Sequence, residues 1–192
     1  MISRLDHVSI AVSDYEKARH FFQDVLGAVG GAGEEHQELQ FFWKVFSLGD
    51  LSRIELISPT GPGSFLHKFL DGKEGAVHHI TLETPDIKKA MEFLDEQGVP
   101  YFGYDEYPGG VWKEVYIHPR DAFGVLVQIA EFRPDDFLGD PVKLPRGRRW
   151  QVEKTSRGCS LTLSHPGGGT VKFELEKEEA KQLLAELQEA LD

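Results

Sequence analysis

Leu5-Asp6-His7-Val8-Ser9-Ile10-Ala11-Val12-Ser13-Asp14 and Val77-His78-His79-Ile80-Thr81-Leu82-Glu83-Thr84-Pro85-Asp86 are two copies of one unit. Superposed, His7 falls on His79, Asp14 on Asp86, Lys17 on Lys89, Ala18 on Ala90 and Phe21 on Phe93, with Gly27 on Gly98 after a one-residue gap. Self-similarity of this kind sets the architecture before any single element is read. Each copy predicts a strand followed by a helix. Val8, Ile10 and Val12 alternate with small or polar residues, the period of a half-buried strand. Ser13 or Asp14 then caps a helix that carries Ala18, Phe21, Phe22, Val25 and Leu26 at helical spacing, and Gly27 stops it. In the second copy Pro85-Asp86 opens a helix with Ile87, Ala90, Phe93 and Leu94 on one face, and Gly98 closes it.

Strand-like segments follow both helices. Residues 38–47 and 53–57, parted by Leu48-Gly49-Asp50, follow the first. Residues 99–104, 112–118 and 125–132 follow the second, parted by Pro108-Gly109-Gly110 and by His118-Pro119-Arg120-Asp121. A further short strand near residues 28–31 is weakened by its glycines. The pattern is βαβββ twice: an α+β domain over residues 1–132, with modules at residues 1–60 and 77–132. Residues 133–149 predict a linker, kept irregular by Pro134, Pro141, Pro145 and Gly147. Residues 150–192 predict a β-meander and a helix with Leu183, Leu184, Leu187 and Leu191 on one stripe. So small a unit is near the lower limit for folding alone, so its apolar face is expected to pack on the first domain or on a second subunit.

Composition bounds the function. The 192 residues carry a formal charge of -11 (32 Asp and Glu against 21 Lys and Arg), which argues against a nucleic-acid partner. With 40% hydrophobic and 28% charged residues the chain reads as an ordinary globular protein. No apolar run approaches the roughly 20 residues of a membrane span, and no signal peptide is visible, so a cytoplasmic protein is expected. The single cysteine, Cys159, excludes an internal disulfide and a CxxC zinc ribbon.

The repeat also places chemistry. His7 and His79 open matching strands, while Glu55 (between Ile54 and Leu56) and Gln128 (between Val127 and Ile129) interrupt the matching final strands. A carboxylate inside an apolar strand is costly unless paired or bound to a metal. Two imidazoles, one carboxylate and one amide oxygen suit a divalent cation such as Co, Zn, Mn, Ni or Mg. A six-coordinate ion would keep two positions for substrate oxygens and act as a Lewis acid, stabilising an enolate as a neighbouring C–H loses its proton.

LDHVSIAV with DYEKARHFFQDVLGA, FLHKFLDGKEGAVHHITLETPDI and IHPRDAFGVLVQI together resemble the vicinal oxygen chelate superfamily, the glyoxalase and bleomycin-resistance fold, and within it the methylmalonyl-CoA epimerases. The resemblance covers residues 4–132. It implies a barrel-shaped sheet, a homodimer, a small-molecule substrate such as an acyl-CoA, and metal ligands at His7, Glu55, His79 and Gln128. It departs from the epimerases at Gln128, where they typically carry a glutamate that also serves as base; Gln128 can coordinate but cannot take a proton. Glu55 then becomes the candidate catalytic base, with Glu38, Glu114 or a bound water as candidates on the other face. Phe123-Gly124 stands where the epimerases have Gly-Gly.

Blander readings stay open. His7 can be a satisfied strand histidine, Glu55 a solvated strand residue and Gln128 a metal-free interior amide. His78 is expected to point away from its neighbour. His118 and Arg120 either contact a phosphate or carboxylate of a CoA-like substrate or simply form a turn. The functional alternatives are a glyoxalase-type lyase, an iron dioxygenase, or a sequestering protein without chemistry.

Overall fold

β1 (Arg4–Val12) is the axis of the molecule. It pairs in parallel with β4 (Ser52–Pro59), Ser9 opposite Glu55, and antiparallel with β5 (Gly75–Glu83), Ser9 opposite His79. β5 continues in parallel to β8 (Leu126–Phe132), Thr81 opposite Gln128. With β2 (Val29–His36), β3 (Phe41–Leu48), β6 (Phe102–Glu106) and β7 (Trp112–Ile117), the computed structural model forms one curled eight-stranded sheet in the order β2-β3-β4-β1-β5-β8-β7-β6. The two βαβββ modules thus meet along β1 and β5. Residues 1–49 and 52–192 are described; Asp50, which the sequence places in a turn, lies outside them.

Alternation along the strands sorts the side chains. One face carries Val12, Phe46, Ile54 and Leu56, packed under α1 (Tyr15–Arg19) and the turn after it through Ala18 and Phe22. In the second module Val115 and Ile129 lie under α3 (Ile87–Glu96), which buries Ile87, Ala90 and Leu94. The other, concave face carries His7, Ser9, His79, Thr81 and Gln128, all buried. At one end of it, α2 (Leu66–Leu70) packs Leu66 and Leu70 against Ala11, Ile57 and the aromatic rings of β3.

Three expectations are corrected. Phe21, Val25 and Leu26 are exposed, because α1 widens into a π-helical turn over His20–Val25, with Leu26 N donating to Phe21 O at 3.1 Å. The wider turn rotates them off the core-facing stripe. Phe93 is exposed for a simpler reason: Ala90 and Leu94 already fill the face of α3. The glycine-poor rule for strands also fails at β2, which runs eight residues through Gly30, Gly31 and Gly33.

Those glycines admit another backbone. A turn at Pro134–Phe137 crosses the concave side, and the Phe137 ring lies 6.3 Å from Trp43 in the first module and 5.1 Å and 5.4 Å from Trp112 and Phe132 in the second. A Cβ at Gly31 would overlap the Phe137 carbonyl oxygen, and one at Gly139 would come within 2.5 Å of Gly30 O. We expect Gly31→Ala to cost about 1–3 kcal/mol, the usual range for overpacking, read as a lowered denaturant midpoint at unchanged slope.

The remaining strands β9 (Trp150–Lys154), β10 (Gly158–Ser164) and β11 (Thr170–Glu176) form a separate sheet followed by α4 (Lys177–Glu189). Within the single chain the first domain does not cover the apolar face of this unit: Trp150, Val152, Phe173, Leu184, Leu187 and Leu191 are all exposed. What docks on the first domain is the tip of the β10–β11 hairpin, where Gly167, Gly168 and Gly169 are buried. Small backbone reaches where side chains do not fit. Among the described residues no helix is long and apolar enough to cross a membrane.

Candidate metal centre

His7, Glu55 and His79 offer donor atoms that all lie within 4.8 Å of one another. Glu55 Oε2 stands 3.9 Å from His7 Nε2 and 3.7 Å from His79 Nε2. Donors about 2.1 Å from a common ion sit at separations of this order. Strand order explains the meeting: β4, β1 and β5 are adjacent, and the three residues share the concave face.

Two bulges aim the imidazoles. The β1–β5 register slips between Leu5 and His7 and again between Ser9 and Ile10, leaving Asp6 extra on β1 and His78 extra on β5. Such a residue is re-aimed rather than sent to the opposite face. In both copies it then touches the Nδ1 of the histidine that follows. Asp6 Oδ2 lies 2.8 Å from His7 Nδ1, and His78 Nδ1 lies 2.8 Å from His79 Nδ1. His78 therefore does not turn away from its neighbour as alternation predicts; its ring also rests 4.7 Å from Phe69 of α2. Since a carboxylate only accepts, Asp6 holds the proton on His7 Nδ1 and leaves the Nε2 lone pair facing Glu55.

Electrostatics follow from burial. Burial opposes the Asp6 charge, but the His7 hydrogen bond and the charges of His7, Arg53 and Arg4 outweigh it and hold its pKa below the usual carboxylate range. Burial raises the Glu55 pKa, partly offset by His7 and by the nearby Ser9 hydroxyl. His79 is pushed well down by burial and then by His7 and His78; burial alone takes His78 to about 4. The pair on β5 is thus neutral at pH 7, as metal ligands must be.

Gln128 joins from β8. Its amide nitrogen donates to Glu114 Oε2 at 2.6 Å and to the Tyr116 hydroxyl at 2.9 Å. The amide oxygen therefore faces inward, where it accepts from the Thr81 hydroxyl at 2.5 Å. That hydroxyl also lies 2.9 Å from His7 Nε2. It has one proton for two acceptors. Ser9 Oγ, set between Glu55 and His79 in the register, is buried with no well-formed hydrogen bond to any described group. A surplus of lone pairs converging on one pocket is what a resident cation would satisfy, so the residues present fit a divalent metal.

The other candidates fall elsewhere. His118 Nδ1 accepts from Arg120 N at 3.2 Å, capping a short turn, and the Arg120 guanidinium pairs with Asp121. Both line a surface cavity of about 170 Å³ with Pro100, Tyr101 and Phe102. Three ring contacts lead from it to the metal centre: His118 to Phe102 at 6.2 Å, Phe102 to Tyr116 at 5.8 Å, Tyr116 to His79 at 6.5 Å. Glu38 lies exposed in a turn, and Phe123 stands fully exposed at a positive φ of 56°. Glu114 is buried and its pKa raised, by burial against the hydrogen bonds of Trp112, Tyr116 and Gln128. The sequence reading missed Asp6, Arg53 and Thr81. Only Asp6, directly before His7, left a visible signal.

A curled sheet of paired βαβββ modules with a His-Glu-His cluster at the module junction defines a glyoxalase-type protein. Residues 6–116 match the model of the glyoxalase/bleomycin resistance protein/dioxygenase superfamily, and the chain belongs to that superfamily. Its relatives include methylmalonyl-CoA epimerases. It is 35% identical over 134 residues to the ethylmalonyl-CoA/methylmalonyl-CoA epimerase of Cereibacter sphaeroides, a match spanning 68% of this chain and 99% of that one. To the mitochondrial methylmalonyl-CoA epimerase of Bos taurus it is 35% identical over 132 residues, 68% of this chain and 75% of that one. The crystal structure of methylmalonyl-CoA epimerase from Mycobacterium tuberculosis superposes with a TM-score of 0.62 at 27% identity, covering 69% of this chain and 90% of that one.

Proposed function

We propose that this chain is a metal-dependent isomerase of the epimerase type, moving a proton at the carbon alpha to the carbonyl or thioester of a small acyl substrate, an acyl-CoA among them. The observation that carries the reading is the meeting of His7, Glu55 and His79 within 4.8 Å on the concave face. Gln128, its oxygen turned inward by Glu114, supplies the fourth donor. A divalent ion held by these residues would supply Lewis acidity, making the C–H beside a bound carbonyl more acidic. Glu55 is the carboxylate among the donors, so we assign it proton removal on one face; with Glu38 exposed in a turn and Glu114 engaged by Trp112 and Gln128, a bound water is assigned the return on the other face. Glu114, bonded to Trp112 and Gln128, orients the amide. His118 and Arg120 are assigned to the distal, anionic part of the substrate, reached past Tyr116. The same reading takes the working form to be a cytoplasmic homodimer, whose subunit count the mass in solution tests.

Methylmalonyl-CoA incubated with the purified protein in D2O should gain deuterium at the alpha carbon, and chelation followed by Co2+ should abolish and restore the exchange. No exchange with metal bound would overturn the reading. One observation favours a second: two histidines and one carboxylate are also the ligand set of non-haem iron oxygenases. Stoichiometric Fe(II) with O2 uptake in place of exchange would select it.

A further inference from the structure

The candidate metal centre is held from outside the shared domain. Arg53 Nη2 donates to Gly167 O at 2.6 Å and to Gly168 O at 3.3 Å, both in the tip of the β10–β11 hairpin. Its Nη1 pairs with Asp6 Oδ1, and Asp6 Oδ2 holds His7 Nδ1. Arg4 pairs with the same Asp6 oxygen and, through Nε, with Glu83 at 2.7 Å. Arg53 and Asp6 are buried.

We propose that the C-terminal hairpin is a positioning element of the metal centre, acting through the chain Gly167/Gly168 carbonyls–Arg53–Asp6–His7. This rests on the metal-centre reading above and deepens it. An arginine fork is rigid, so carbonyls that fix one nitrogen fix the other. Arg53 thereby holds the Asp6 carboxylate, which in turn sets the tautomer and ring orientation of His7; such outer partners govern ligand geometry and affinity. The hairpin tip is built for this contact. Gly168 has φ +80° and leaves no room for a side chain, since a Cβ would stand 2.6 Å from Pro134 Cβ and 3.2 Å from Arg53 Nη2. Gly169 N donates to Asp135 Oδ1 at 2.9 Å, anchoring the tip from its other side. The match to the Cereibacter sphaeroides relative spans 99% of that protein and only 68% of this chain, so nearly a third of this chain lies outside the shared segment. The hairpin adds a control on His7 to the shared domain.

Co2+ alone is the probe, titrated into the full-length metal-free protein and followed by affinity and by its visible absorption spectrum. Gly168→Ala and Arg53→Met should each weaken Co2+ binding by about 10–100-fold, the range for lost outer-shell partners, and alter the spectrum. Arg53→Lys should fall between them and the unaltered protein. Leu191→Ala, on the exposed end of the extension, should change neither. Unaltered Co2+ affinity and spectrum in the Gly168 and Arg53 variants would overturn the proposal while leaving the metal centre standing. An equal loss in Leu191→Ala would overturn it too, as a general effect of the extension. Failure of the unaltered protein to bind Co2+ would overturn both the proposal and the reading beneath it.

Discussion

His79→Ala should abolish tight divalent-metal binding while the protein stays folded. His79 is one of three groups whose donors meet within 4.8 Å, and on the proposed reading its removal would delete one ligand of the ion. Loss of an outer-shell partner already costs about 10–100-fold in affinity, so loss of a direct ligand should exceed that. The fold should tolerate the change. His79 sits on the concave face away from the two apolar clusters beneath α1 and α3, and alanine there removes a neutral ring that burial keeps uncharged. Isothermal titration with Zn2+ or Co2+, beside a thermal melt of the metal-free protein, checks both halves. Metal occupancy equal to that of the unaltered protein would remove His79 from the centre.

Glu55→Gln should leave metal bound, more weakly, and cut alpha-proton exchange by about 10²–10⁴-fold, the usual contribution of a positioned acid or base. The amide keeps an oxygen donor in nearly the same place but has no basic lone pair for a proton. Deuterium exchange measured at saturating metal separates the two effects. Exchange at the unaltered rate would move the proton transfer to another group.

The structure also gives a physical reason why the carboxylate stands at position 55 and the amide at 128. Glu114 is buried and takes its hydrogen bonds from Trp112 and Gln128. A glutamate at 128 would set a second carboxylate oxygen where the amide nitrogen now stands, 2.6 Å from Glu114 Oε2, and the pair would have to take up a proton or move apart. An amide offers a donor to Glu114 and an acceptor to the centre at once. Among the described residues no carboxylate is hydrogen-bonded to Glu55, whose own carboxylate looks toward two imidazoles and the Ser9 hydroxyl, with the Asp6 charge a lesser influence.

The tandem repeat was legible in the residues, and with it the two modules. So was the concave set His7, Glu55, His79 and Gln128, because side-chain alternation is a local property that one strand carries alone. Asp14 and Asp86 likewise cap their helices, each accepting from the backbone N–H three residues on, a contact within one turn. Bulges, register and close backbone approach are not local. Asp6 and His78 reach their histidines only because β1 and β5, some seventy residues apart in the chain, pair with two slips. Gly31 lies against the Phe137 backbone, which is far from it in the chain, and Arg53 meets Gly167 across 114 residues. Those contacts are choices among pairings that no single segment can make, so only the tertiary structure decided them.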